Sequence, residues 1–298
     1  MDLYKNQVKL LLDVIPLIEK EEVYALHGGT AINLFVRNMP RLSVDIDLTY
    51  VPIEDRNTSL AKIYDSLERV KQAILTTIPS TSVTHQKDKF KLQISSPLAQ
   101  IKVEVNPTGR GLLYPSRKMP LCDKTQEDFD TFCSINVVSL AQLYGGKICA
   151  ALDRQHPRDF FDVKYLLENE GYSDEIKSGF IFSLLGSSRP LHEIIKPNNL
   201  DQRETMVNQF NGMTAEEFSY DEFEEVRDRL ITEIHQNFTD ADKEFLIAYE
   251  SGNPNWGLYD FKDYPAIKWK LQNLEKFRST DIVRHKVQIA ELERKLKG

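Results

Sequence analysis

The stretch HGGTAINLFVRNMPRLSVDIDLTYV, from His27 to Val51, sets a Gly-Gly-Thr turn a short distance ahead of Asp45-Ile46-Asp47. Val23 to Leu26 reads as a strand or the last turn of a helix, and Ala31 to Val36 as a helix that starts after Thr30. Gly28 and Gly29 let backbone N–H groups approach a phosphate closely, and the helix N-terminus behind them favours negative charge. Thr30 is suited to cap that helix or to hydrogen-bond the phosphate. Ser43 to Tyr50 alternates in the manner of a strand, so Asp45 and Asp47 point to one face. Adjacent carboxylates repel each other and persist where a cation neutralises them. Oxygen ligands of this kind suit Mg²⁺, which is held by one or two carboxylates together with substrate phosphates. A Gly-Gly pair alone is an ordinary turn and Asp-x-Asp alone a solvated strand edge; only their conjunction points to a site.

The surrounding chain has 298 residues, 41% of them apolar, enough to bury a substantial core in one large or two medium domains. A net charge of -7 argues against a generally basic binder, although a local basic face for RNA is compatible with an acidic total. Three cysteines, Cys122, Cys133 and Cys149, form no metal spacing and leave an odd thiol under any pairing, which points to a reducing, cytoplasmic setting. No apolar run approaches a membrane span, and the N-terminus has an amphipathic helix pattern rather than that of a signal peptide.

Apolar spacing predicts helices over 3–19 and 58–78, and strand patterns fall at 82–85, 89–95 and 100–106. In the last of these, Ile101, Val103 and Val105 form one face and Lys102, Glu104 and Asn106 the other, so Glu104 is a candidate third carboxylate or part of a solvated edge. From Val138 onward helix dominates, with charged helical patterns at 221–237, 240–250 and 267–297. The order is α+β: a mixed sheet flanked by helices over residues 1–170, then a mainly helical domain over 171–298. A second block begins at Leu140. Lys147 lies on a helix, Pro157 breaks or restarts it, and Arg158-Asp159-Phe160-Phe161-Asp162 follows, with Asp159 and Asp162 on one helix face. By itself that set also reads as an interhelical salt-bridge cluster.

The Gly-Gly turn followed by Asp-h-Asp-h, h being apolar, resembles the signature of the nucleotidyltransferase superfamily typified by DNA polymerase β. The gap of fourteen residues between Thr30 and Asp45 is longer than usual there. With Gly-Gly-Thr-Ala and then Arg41-x-Ser43-x-Asp45-Ile46-Asp47-Leu48, the spelling resembles the AbiEii/AbiGii family of toxin nucleotidyltransferases. That family also carries a Lys on a helix and Arg-Asp-x-x-Asp-h, matched by Lys147, Arg158, Asp159 and Asp162. A looser likeness follows at Pro254-x-Trp256 and Pro265 to Leu274, ahead of a locally basic tail that reads as a solvated helix or an RNA-tracking one.

The resemblance implies a polymerase β-like fold and an NTP-dependent, pyrophosphate-releasing enzyme. Asp45, Asp47 and Glu104 would hold Mg²⁺ or Mn²⁺. Gly28, Gly29, Thr30, Ser43, Lys147 and Arg158 would bind the nucleotide, with an Arg158–Asp162 pair along the helix as the alternative role for Arg158. Asp162 would serve as a base toward the attacking hydroxyl or as the partner that positions Lys147. It further implies a toxin with a cognate antitoxin and an RNA acceptor, tRNA being the class its characterised relatives suggest. A catalytically silent binding module and a small-molecule nucleotidyltransferase are the competing readings. Phosphorylation of Ser43 would add close to two negative charges beside the metal carboxylates and is expected to inactivate the protein.

Overall fold

The structure, a computed structural model, describes residues 2–297, with side chains from Tyr4 onward. The chain folds into two compact units, one running through Ser139 and including Phe210–Glu217, the other made of Leu140–Gln209 and the chain from Phe218 on.

The first unit is built on a seven-stranded mixed sheet. In chain order its elements are α1 (Asp2–Glu19), β1 (Tyr24–His27), α2 (Gly28–Ala31), β2 (Asp45–Tyr50), α3 (Arg56–Thr77), β3 (Ser82–Gln86), β4 (Lys91–Ser95), β5 (Gln100–Val105), β6 (Arg117–Pro120), α4 (Asp123–Phe129) and β7 (Ser134–Val137). The spatial order is β3-β4-β5-β2-β1-β7-β6. β2 is therefore central, antiparallel to β1 and parallel to β5. Its apolar residues Ile46 and Leu48 are buried while Asp45 and Asp47 on the other face stay partly open, which is the alternation the sequence predicts. α1 packs on β5 and β7, and α3 on β3 and β4, burying Val8, Leu11, Ile15, Ile63, Leu67, Val70 and Ile74.

One local expectation is corrected, and two unexpected strands appear. The first helix after the glycines starts at Gly28, not after Thr30; His27 is its N-cap, in extended conformation, and a π-helical turn (Ile32–Val36) follows it. Thr30 thus lies inside the helix and caps nothing. β6 and β7 are four-residue strands that no sequence pattern marks, yet β7 lies parallel to β1 in the sheet.

The second unit is helical: α5 (Leu140–Arg154), α6 (Pro157–Asn169), α7 (Asp174–Leu185), α8 (Leu191–Ile195), α9 (Arg203–Thr205), α10 (Tyr220–Asn237), α11 (Asp240–Glu250), α12 (Pro265–Thr280) and α13 (Ile282–Leu296). α5 and α7 make its closest packing. A Cβ on Gly145 would run into the backbone of Gly179, and one on Gly179 into the carbonyl of Ala141. Small residues at that crossing let the helix backbones touch. Ser173, Ser219 and Thr239 cap α7, α10 and α11, the last through a capping box with Asp242. The helical pattern read as continuous over 267–297 is two helices; the chain leaves helical geometry at Asp281, whose carboxylate accepts the Arg284 N–H at 3.0 Å and starts α13. Among the described residues no helix is long and apolar enough to cross a membrane, and Cys122, Cys133 and Cys149 are free thiols.

Candidate active site

In the first unit the Gly-Gly turn follows β1 directly and lies beside the Asp-x-Asp strand, because His27 pairs with Asp47 across the antiparallel β1–β2 ladder. Gly28 has φ +71°, a left-handed conformation natural to glycine, and a Cβ there would collide with the Asp47 carboxylate. A Cβ on Gly29 would lie 2.8 Å from Arg41 Nη2 and 3.0 Å from Ser43 Oγ. Neither glycine can carry a side chain without displacing a polar group at the head of β2. Thr30, fully buried, donates its hydroxyl to the Asp45 carbonyl and has Ser43 Oγ at 3.0 Å. The turn and the Asp-x-Asp strand are thus stitched together through Thr30 and Ser43, and the Thr30 side chain points into the protein.

Asp45 and Asp47 share the partly open face of β2, and in the parallel β2–β5 register Glu104 stands abreast of Asp47. Glu104 also pairs across β4–β5 with Lys91, whose ammonium bonds its carboxylate. Among the described residues no three His, Cys, Asp or Glu side chains converge into a metal cluster. The donor chemistry of Asp45 and Asp47 still fits a hard divalent cation, since Mg²⁺ takes one or two protein carboxylates and completes its octahedron with substrate oxygens and water.

The second unit carries the other predicted residues. Lys147 on α5 donates to Asp159 Oδ1 at 2.7 Å and lies 2.9 Å from Asp162 Oδ2, both on α6. All three are buried. Arg154, at the end of α5, forks onto Asp159 at 2.6 and 3.0 Å. Burial alone would raise the Asp159 pKa, but Lys147 and Arg154 hold its carboxyl far below the usual carboxylate range. The geometry is fixed by the α5–α6 corner: His156 caps α6 by accepting the Arg158 N–H at 3.2 Å, and Pro157 occupies the first helical turn. Asp159 and Asp162, one turn apart, then both face Lys147. Arg158 is half-buried on α6. Sequence spacing pairs Asp159 with Asp162 but misses Arg154, which reaches Asp159 across the helix break where no periodicity applies. It also gives Arg41 no role.

Comparison with known proteins decides the family. The family model described as "Nucleotidyl transferase AbiEii toxin, Type IV TA system" matches residues 9–273. The chain belongs to the AbiEii family of nucleotidyltransferase toxins. Every candidate residue named above falls within the matched span of this AbiEii-family protein, whereas α13 lies beyond it. Among solved structures, MenT4, a nucleotidyltransferase toxin of Mycobacterium tuberculosis H37Rv, superposes with a TM-score of 0.61 over 91% of this chain and 92% of its own, at 14% identity. At that identity the likeness carries the fold: a mixed sheet with flanking helices and a helical C-terminal region. No curated protein matches the sequence. As a member of a type IV toxin–antitoxin family, the chain is a nucleotidyltransferase with an NTP substrate and a cognate antitoxin.

Proposed function

We propose that this AbiEii-family toxin arrests growth by transferring a nucleotide from an NTP to an RNA acceptor, with tRNA as the acceptor class, in a reaction that depends on Mg²⁺ or Mn²⁺. The observation that carries the proposal is the docking of the Gly28-Gly29 turn onto β2, with Gly28 packed against the Asp47 carboxylate and Thr30 bonded to Asp45. Only a ligand that brings phosphates and a cation together uses both halves of that unit.

In this reading the backbone N–H groups of the turn bind the triphosphate, and Asp45 and Asp47, with Glu104 as a candidate third ligand, hold the cation. The cation when bound supplies charge stabilisation for in-line displacement. A hydroxyl of the acceptor attacks the α-phosphorus, the bond to the bridging oxygen breaks, and pyrophosphate leaves with its electron pair. Lys147 neutralises phosphate oxygens as a point charge, and Arg158 adds a cationic contact. Asp162 takes the proton of the attacking hydroxyl or holds Lys147; the buried pair at 2.9 Å supports the second role. Asp159, clamped between Lys147 and Arg154, orients rather than reacts. As a functional division we retain a catalytic part over residues 1–170, which contains every residue with a chemical role, and a helical part over 171–298. Packing draws a different line, joining α5 and α6 to the helical unit.

Incubation of the purified protein with labelled NTPs, total RNA and Mg²⁺ or Mn²⁺ tests the proposal. Label is expected in the tRNA fraction with wild type and not with Asp45→Ala. Absence of transfer in both would overturn it in favour of a silent binding module, and label on small-molecule acceptors alone would replace RNA as the substrate class.

A further inference from the structure

The fourteen residues between Thr30 and Asp45 do more than connect two motifs. After the π-helical turn, Met39 takes φ +49° and the chain doubles back, so that Pro40 to Ser43 runs past the first turn of α2. That return brings Arg41 against Gly29. The Arg41 residue is only 3% exposed, and its Nη1 donates to the Leu42 carbonyl at 3.0 Å. The segment is strapped in place from far along the chain: Arg41 forms a β-bridge with Thr214, the Leu42 N–H donates to the Met213 carbonyl at 2.7 Å, and the Thr214 hydroxyl donates to the Pro40 carbonyl at 3.1 Å. This strap is Phe210–Glu217, the piece that rejoins the sheet unit although helices precede and follow it in sequence.

The guanidinium is thereby held, buried, directly behind the backbone of the Gly28-Gly29 turn. We propose that Arg41 is a positioning residue for the polyphosphate of the nucleotide: a fixed positive charge packed behind the Gly28-Gly29 turn, which strengthens the turn's hold on a polyanion without touching it. The proposal rests on the nucleotide reading above. In a weakly screened setting the attraction grows with the number of negative charges on the ligand, so Arg41 distinguishes a triphosphate from a single phosphate. Gly29 is constrained by the same contact, since a methyl there would displace the guanidinium.

Calorimetric titration of the full chain with inorganic tripolyphosphate and with orthophosphate, in the presence of Mg²⁺, tests this apart from any transfer activity. Arg41→Gln is expected to weaken tripolyphosphate about tenfold and orthophosphate far less, as for loss of one buried charge, with Arg41→Lys recovering most of the difference. In the transfer assay the same loss should appear in KM for the NTP with kcat nearly unchanged. Thr214→Val, which removes only the strap hydroxyl, should weaken tripolyphosphate in the same direction and keeps the idea testable if Arg41→Gln fails to fold. Equal losses for both anions, no recovery with Lys, or wild-type protein that does not bind tripolyphosphate would each overturn the proposal. Arg41-dependent tripolyphosphate binding by a protein that transfers no nucleotide would uphold it while sinking the transfer reading.

Discussion

Gly28 joins a left-handed backbone to a contact with a carboxylate proposed to hold the cation, so a single methyl group there tests both. Gly28→Ala introduces strain of about 1–2 kcal/mol for a non-glycine left-handed residue and forces Asp47 to turn away. The expected result is a melting temperature lowered by a few degrees and nucleotide transfer nearly abolished, the second effect far exceeding what partial unfolding explains; retained transfer in a folded variant would refute the role given to the turn. Ser43 is the next residue along this seam. It is buried against Thr30 and the Gly29 turn, so a carboxylate at 43 would sit beside both the phosphate loop and Asp45. Ser43→Glu should be inactive in the RNA-labelling assay, while Ser43→Ala, which loses one hydrogen bond, should keep most of its activity. Of this site, the glycines and the two aspartates were legible because each reports a local constraint, a backbone conformation or a strand face. Arg41 was not legible as a functional group. Its role depends on a reversal at Met39 and on Thr214, and neither leaves a periodic trace.

Helices and strands differ in how much of themselves they disclose. α1, α3, α10 and α11 were readable because each buries an apolar stripe at helical spacing, and β2 to β5 because they alternate or bracket turns. β6 and β7 escaped because four residues are too few for alternation to emerge, and the break at Asp281 escaped because the charged pattern runs through it. The α5–α7 crossing lies between these cases. Its glycines were visible in AQLYGGKICAALD, but their purpose is set by a helix that arrives more than thirty residues later, at Gly179. Because the backbones touch there, Gly179→Ala has no side chain to displace and must separate the helices, an overpacking that costs about 1–3 kcal/mol. The expected readout is a melting temperature several degrees lower. It should come with weaker transfer, since Lys147 on α5 is positioned by the same packing. A neutral Gly179→Ala would mean that the crossing is looser than its geometry implies.

Across the whole molecule, two buried acids pull stability in opposite directions as pH changes. Asp159 is held far below its ordinary range by Lys147 and Arg154, so the stability it contributes is present above the unfolded carboxylate value and is lost as pH falls below it. Glu250, at the end of α11, is fully buried with both carboxylate oxygens unbonded. Burial raises its pKa, and the nearby Lys270 and His285 offset this only in part. Those neighbours spend their hydrogen bonds elsewhere: Lys270 donates to the Arg189 carbonyl at 2.6 Å, and His285 Nε2 lies 2.8 Å from the backbone carbonyl of Glu250. For Glu250 the sign is reversed. The folded state binds its proton more tightly than the unfolded state, so stability falls as pH rises from the unfolded value through the folded one. Together the two groups predict a melting temperature that peaks at mildly acidic pH. Glu250→Gln keeps the shape and removes the ionisation, so it should raise the melting temperature by a few degrees near about pH 8, with the gain vanishing toward about pH 4, where wild type is already protonated. Scanning calorimetry across that range checks the sign directly. A loss at the alkaline end would show that Lys270 stabilises the Glu250 charge more than burial opposes it, and a gain that does not vary with pH would show that ionisation of Glu250 is not its cause.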